Sequence, residues 1–401
     1  MPIGFAKNIL TTSAVSSATN TFTGWDGSND TTLTRGGDWN SIIGFAPFSD
    51  EYGLLVTAKD GGGIGAVDSV VYDLIRNNNG TLSVTSGNNN IVTTSNSNYV
   101  EQSGLVAPTQ TGTILVDLLS VGNSNNAFMF SLSGTTVTKG TGFAAPRETY
   151  SKNIFVARSG DSTGYNNIDL TKRGQKVTLN EVSLNSTTLV TSTESVLTDT
   201  MHYANSTIPG FVDNDTPFFF QSTDGSELLP MKLDLGTTGN QSGTTFAGVS
   251  ASTMDLETAN NRSEFVRFAT PTFNDVAFND TALFFERAGG TPNNKYQIHS
   301  YKAGDSAVKK SNILTLSSGD TSDSSFTGCF VGPTNDVFLF GHYQVSGTQI
   351  KIMKFVLSTN TVSEVLDIDI TLGYEQLRLM RWGNNGAILA YDTDKIRLIR
   401  A

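Results

Sequence analysis

What most constrains this chain is a unit of short apolar runs and polar turns that recurs at ~50-residue spacing, the period of one sheet-sized module in a radial repeat. Its clearest copy comprises residues 325–331 (SFTGCFV), 336–340 (DVFLF), 350–357 (IKIMKFVL) and 361–368 (TVSEVLDI). Turns holding Ser346 and Gly347, then Ser358, Thr359 and Asn360, separate the last three runs. The runs are rich in β-branched and aromatic residues, which suit a pleated surface. Within the third, Ile350, Ile352 and Lys354 share one face and Lys351, Met353 and Phe355 the other, because side chains alternate along a strand. The group reads as an antiparallel meander.

The unit recurs upstream as topology, without a strict sequence repeat. Runs at 280–286, 296–301 and 311–316 form one copy, and 217–220 with 231–235 another. Earlier copies are 153–157, 176–179 and 188–190; then 113–117, 127–130 and 135–137; then 52–57, 69–72 and 80–84. The last three runs, 377–382, 386–391 and 395–400, lack a fourth. A strand from the N-terminal region, with residues 17–23 (SATNTFT) as the candidate, supplies the missing edge and leaves no open one. The best helix candidate, 66–76 (AVDSVVYDLIR), carries Val-Val-Tyr and runs into the turn residues Asn77 to Gly80, so it too reads as a strand.

The expected fold is therefore all-β: a β-propeller of about seven four-stranded antiparallel blades, closed by an N-terminal strand. Residues 1–16 form an anchoring arm and 17–401 the propeller body. The competing architecture, a pair of β-sandwich domains, calls for a linker near the middle, and no Pro-rich or charged stretch stands there.

Charged residues make up 16% of the chain and glycine numbers 39, a composition of many short strands joined by polar turns. The net charge of −11 repels phosphate backbones and argues against nucleic-acid binding. The single cysteine, Cys329, excludes an intrachain disulfide and Cys-based zinc sites, and its apolar setting reads as a buried thiol. No apolar run reaches the ~18 residues that span a bilayer. The opening segment lacks a signal-peptide core and a basic region before it, so a protein kept in a cytoplasm or released by lysis is expected. The sequons at Asn79, Asn185 and Asn205 then read as chance matches.

Signatures of catalysis are sparse. His202, His299 and His342 lie far apart in sequence and lack the close spacing of a metal-binding pair. No Gly-x-Ser-x-Gly elbow occurs, and Asp60-Gly-Gly-Gly-Ile-Gly65 lacks the Lys-Ser/Thr ending of a phosphate loop. Asp213 with Asp215, and Asp320 with Asp323, do not match a calcium loop. Asp367 and Asp369 share a strand face and invite comparison with the acid/base pair of sugar hydrolysis, but a solvent-facing edge is the favoured account of them. The expectation is a non-enzymatic protein without cofactor or metal. A glycan contact is the alternative use of Trp25, Asp26 and Trp39: the indole faces suit sugar rings and the carboxylate suits hydroxyls. The same tryptophans also suit docking of the N-terminal strand onto the body.

The opening MPIGFAKNILTT (residues 1–12) resembles the N-terminal segment of virion proteins from tailed phages of marine bacteria, especially cyanophages. There a similar start precedes quite different bodies, lectin-like modules among them. The resemblance implies a virion structural role, tail-associated or capsid-decorating, in several copies, with assembly in the host cytoplasm. It also implies an arm that docks onto other virion proteins, and a body available for host-surface attachment. A carbohydrate-binding or carbohydrate-cleaving propeller is the alternative. Ile3, Phe5, Ile9 and Leu10 are the docking candidates; burial against a partner stabilises by roughly 1.5–3 kcal/mol for each side chain. Packing of these residues against the chain's own ring is the other option.

Overall fold

In the computed structural model, the described residues are those of the strands given below and of the connections 48–51, 79–80, 113, 118, 134–135, 140–142, 306, 311–312, 357–360 and 382. Among them there is no helix, and every strand pairing is antiparallel. A two-residue strand, β1 (Thr31–Thr32), comes first. Sheet 1 then runs β2 (Trp39–Pro47), β3 (Tyr52–Asp60), β4 (Val67–Asn78) and β5 (Thr81–Thr93). Sheet 2 is β6 (Leu105–Pro108), β7 (Ile114–Asp117), β8 (Ala127–Ser133) and β9 (Thr136–Lys139). Sheet 3 is β10 (Ser151–Ala157), β11 (Gly164–Thr171), β12 (Val177–Leu184) and β13 (Leu189–Leu197).

Sheet 4 runs β14 (Phe211–Asp213), β15 (Thr216–Ser222) and β16 (Glu227–Asp234), with β17 (Thr245–Gly248) and β18 (Met254–Asp255) both beside β16. Sheet 5 has β19 (Thr281–Arg287) and β20 (Lys295–Lys302), with β21 (Lys309–Lys310) and β22 (Leu314–Thr315) both beside β20. Sheet 6 is β23 (Ser325–Val331), β24 (Val337–Tyr343), β25 (Gln349–Val356) and β26 (Thr361–Asp369). Sheet 7 is β27 (Arg378–Arg381), β28 (Gly386–Tyr391) and β29 (Lys395–Arg400), with β1 on the outer side of β29.

The expected meander at 325–368 is sheet 6 in its expected order, and the 66–76 run is strand β4. Seven strands escaped the sequence reading: β1, β2, β6, β11, β14, β17 and β18. β2, β6 and β17 carry Gly or Pro, β11 is mostly polar, and β1, β6, β14, β17 and β18 are very short, so local pattern is weak in each. Within the expected strand at 311–316, Leu314–Thr315 is β22, whereas Ser311 and Asn312 are not strand and connect from β21. The closing candidate at 17–23 lies outside the described residues. The strand beside β29 is β1, where Thr31 pairs with Ile396 and Thr32 with Lys395.

Burial explains how the sheets are arranged. Along β3, Leu54, Leu55, Val56, Thr57 and Ala58 are all buried, although neighbouring side chains point to opposite faces. A strand buried on both faces needs a neighbour on each side. Leu54, Val56 and Ala58 join Val106, Ile114, Val116, Leu118, Phe128 and Phe130 of sheet 2. Leu55 joins Ile42, Phe45, Ile75 and Leu82 of its own sheet and Trp382, Ile388, Ala390, Ile396 and Leu398 from sheet 7. Sheet 1 is thus held between sheet 2 and the last sheet of the chain. Every residue of β28 is buried in the same way.

The first strands of these sheets also meet: β2 lies against β6 and β27, and β23 lies against β27. Gly44 of β2 permits one such approach, because a Cβ there would stand 3.0 Å from the Cβ of Val106.

Candidate functional site

At one end of sheet 1 two tight turns form a defined surface. Asn79 and Gly80 both have positive φ, 50° and 97°, the geometry of a type I′ hairpin whose twist matches the strands it joins. The Asn77 side-chain oxygen accepts the Gly80 N–H at 2.8 Å. The Asn77 backbone N–H donates to the Glu51 carbonyl at 2.8 Å, which ties this turn to residues 48–51. The Ser49 hydroxyl organises that second turn by accepting from the N–H groups of Glu51 and Tyr52.

On this frame Arg76 pairs with Glu51 at 2.7 Å, and its guanidinium stands 5.8 Å from the centre of the Tyr52 ring. Asp50, Asn78 and Asn79 are exposed beside it. From sheet 7 the Trp382 indole N–H donates to the Ser49 carbonyl at 3.0 Å, and its ring lies 4.9 Å from that of Phe45. The surface is therefore fixed rather than adaptable, and it offers one paired cation, carboxylates, amides and a half-buried phenol. It is suited to hydrogen-bonded contact.

Elsewhere, burial raises the Tyr72 phenol above its ordinary range and lowers the Arg378 guanidinium below its own. Among the described residues no three of His, Cys, Asp and Glu come together to hold a metal ion.

The sequence-derived candidates distribute as follows. Ile3, Phe5, Ile9, Leu10, Trp25 and Asp26 lie outside the described residues, as do His202, Asp215, Asp320 and Asp323. Trp39 begins β2 opposite Lys59, next to a β-bulge. His299 registers between Phe284 and Lys310. His342 registers opposite Lys351, and Lys351 opposite Asp367, so Asp367 has a lysine as its cross-strand neighbour rather than a second carboxylate. Asp369 registers opposite Gln349. Cys329 registers opposite Leu339. Sequence reasoning missed Arg76, Glu51 and Trp382 as a group, since 333 positions separate Ser49 from the indole that contacts it.

The fold defines the chain as an all-β protein of antiparallel sheets packed face to face. No family model and no curated protein matches it. Among solved structures it is similar to the WD40 domain of SCAP from fission yeast, at 8% identity and TM-score 0.45 over 93% of this chain and 98% of that one. It is also similar to a putative 6-phosphogluconolactonase from Bacteroides uniformis ATCC 8492, at 12% identity and TM-score 0.45 over 84% and 88%. The SapL1 lectin in complex with alpha methyl fucoside gives 8% identity and TM-score 0.41 over 72% and 89%. Likenesses at this level carry no activity, ligand or partner over to this chain.

Proposed function

We propose that the seven sheets are blades of a β-propeller closed by β1, and that the chain is a non-enzymatic structural protein of a tailed-phage virion. The observation that carries the ring is the two-sided burial of sheet 1. One face of β3 packs on the following sheet and the other on the last sheet of the chain. The pairing of β1 with β29 supports closure, because it gives sheet 7 an outer strand from the opposite end of the chain.

The virion role rests on the resemblance of residues 1–12. In this reading the arm, through Ile3, Phe5, Ile9 and Leu10, docks onto other virion proteins, and the rigid body is a tail-associated or capsid-decorating platform. It is carried in several copies, with host-surface attachment as its second use. Deleting residues 1–12 is the test: particles assembled with the truncated protein are expected to lack it. Incorporation at the full-length level overturns the arm.

A carbohydrate-binding or carbohydrate-cleaving propeller is the second reading. It is favoured by β5, where Thr81, Ser83, Thr85 and Asn90 are exposed on a strand of 13 residues without a single charge. Hydroxyls and amides of this kind match a neutral sugar surface. Incubation with host envelope glycans separates the branches. Retention without release of reducing ends indicates binding, release indicates cleavage, and neither outcome removes this reading.

A further inference from the structure

The outer row of sheet 5 is interrupted at Ser311 and Asn312, between the stretches that pair with β20. At Ile298 the interruption does not cost the ladder its bonds. Ser311 N–H donates to the Ile298 carbonyl at 2.8 Å, and the Ser311 hydroxyl oxygen accepts the Ile298 N–H at 2.9 Å, so a side chain stands in for the missing strand acceptor. The same hydroxyl donates to the Asn312 carbonyl at 2.8 Å. Asn312 follows and reaches the next sheet with its side chain. Its side-chain oxygen accepts the Val362 N–H at 2.7 Å, and its side-chain N–H donates to the Val362 carbonyl at 3.3 Å.

That two-point pattern is the one a neighbouring strand would make. Val362 lies in β26, the outermost strand of sheet 6, and its N–H and C=O point away from β25. A nine-residue edge strand rich in Val, Leu and Ile is a template for pairing with another chain. Sheet 1 handles its own edge by related means. β5 departs from the register of β4 at three bulges, and the carbonyl of Ile91, the residue left over at one of them, accepts from the Lys139 ammonium of sheet 2 at 2.6 Å. In both places a side chain from the adjacent sheet occupies an outer-edge position.

We propose that the Ser311–Asn312 step is a clasp that ties sheet 5 to sheet 6 and shuts the outer edge of β26 against strand addition by a second copy of this chain. The clasp stands on these hydrogen bonds alone and is independent of the virion reading.

The full-length protein with Asn312→Ala tests it by hydrogen exchange and sedimentation velocity. The Val362 amide is expected to exchange ~10-fold faster, the equivalent of one modest hydrogen bond. Association that grows with protein concentration is expected alongside, and none is expected of the parent chain. Adding Val362→Pro removes the outward N–H from the edge and is expected to abolish that association. Unchanged exchange at Val362 in a folded Asn312→Ala protein overturns the clasp. Faster exchange with no association at any concentration overturns the edge-blocking role. Should Asn312→Ala fail to fold, Ser311→Ala decides: acceleration at both Ile298 and Val362 upholds the clasp, and acceleration at Ile298 alone overturns it.

Discussion

Two of the joins between sheets draw on different physics. Sheets 7 and 1 meet through apolar side chains: Phe45, Leu55, Ile75, Trp382, Ile388 and Ile396 form one buried cluster, with a hydrogen bond from Trp382 to Ser49 at its margin. Sheets 5 and 6 are joined at their outer edges by the paired amide of Asn312. The first seam draws on burial, which is non-directional and tolerates small shifts. The outer-edge join at Asn312 uses two bonds of defined geometry and loses most of its value if either partner moves. Apolar area can weld any two sheets, but an outer edge also has backbone donors and acceptors to satisfy, and only polar groups can do that.

The contrast can be broken most directly at Trp382. Trp382→Ala removes the ring against Phe45 and the bond to Ser49 together, and is expected to cost ~3–5 kcal/mol in denaturant unfolding. A loss no greater than that of Asn312→Ala would erase the distinction between the seams. Gly53→Ala probes the same seam from within. A Cβ at this position would collide with the Phe45 ring, so the ring, which packs on Trp382, must shift, at an expected ~1–3 kcal/mol. An unchanged unfolding midpoint would mean that Phe45 has room the packing does not show. Glu51→Ala lies near the seam but outside its apolar part. The Arg76–Glu51 side chains are each 44% exposed, so the expected loss is at most ~1 kcal/mol, shrinking further as salt is raised.

Strand positions were legible wherever a run alternated or was β-branched and stood between turn residues, as in β23 to β26 and β27 to β29. The Asn79–Gly80 hairpin was legible too, because only a few residue types accept positive φ at both positions. The first strands β2 and β6 were not, since short Gly- and Pro-containing segments become strands by lying against their neighbours rather than by local preference. The Ser311–Asn312 break was hidden for the opposite reason. It sits in a run that looks continuous, and the only sign was a pair of residues able to bond to the backbone. The cluster around Ser49 and Trp382 carried no signal at all, because its members meet only when the two ends of the body do.

The sequence by itself determined that this chain is built of strands, roughly where they lie, and that each would bury apolar side chains, because alternation and turn chemistry act over a few residues. Which sheet covers which face, where β1 pairs, and which side chain satisfies the outer edge of β26 were decided only by the tertiary structure. Those outcomes depend on contacts between residues tens to hundreds of positions apart, and no local pattern encodes the partner.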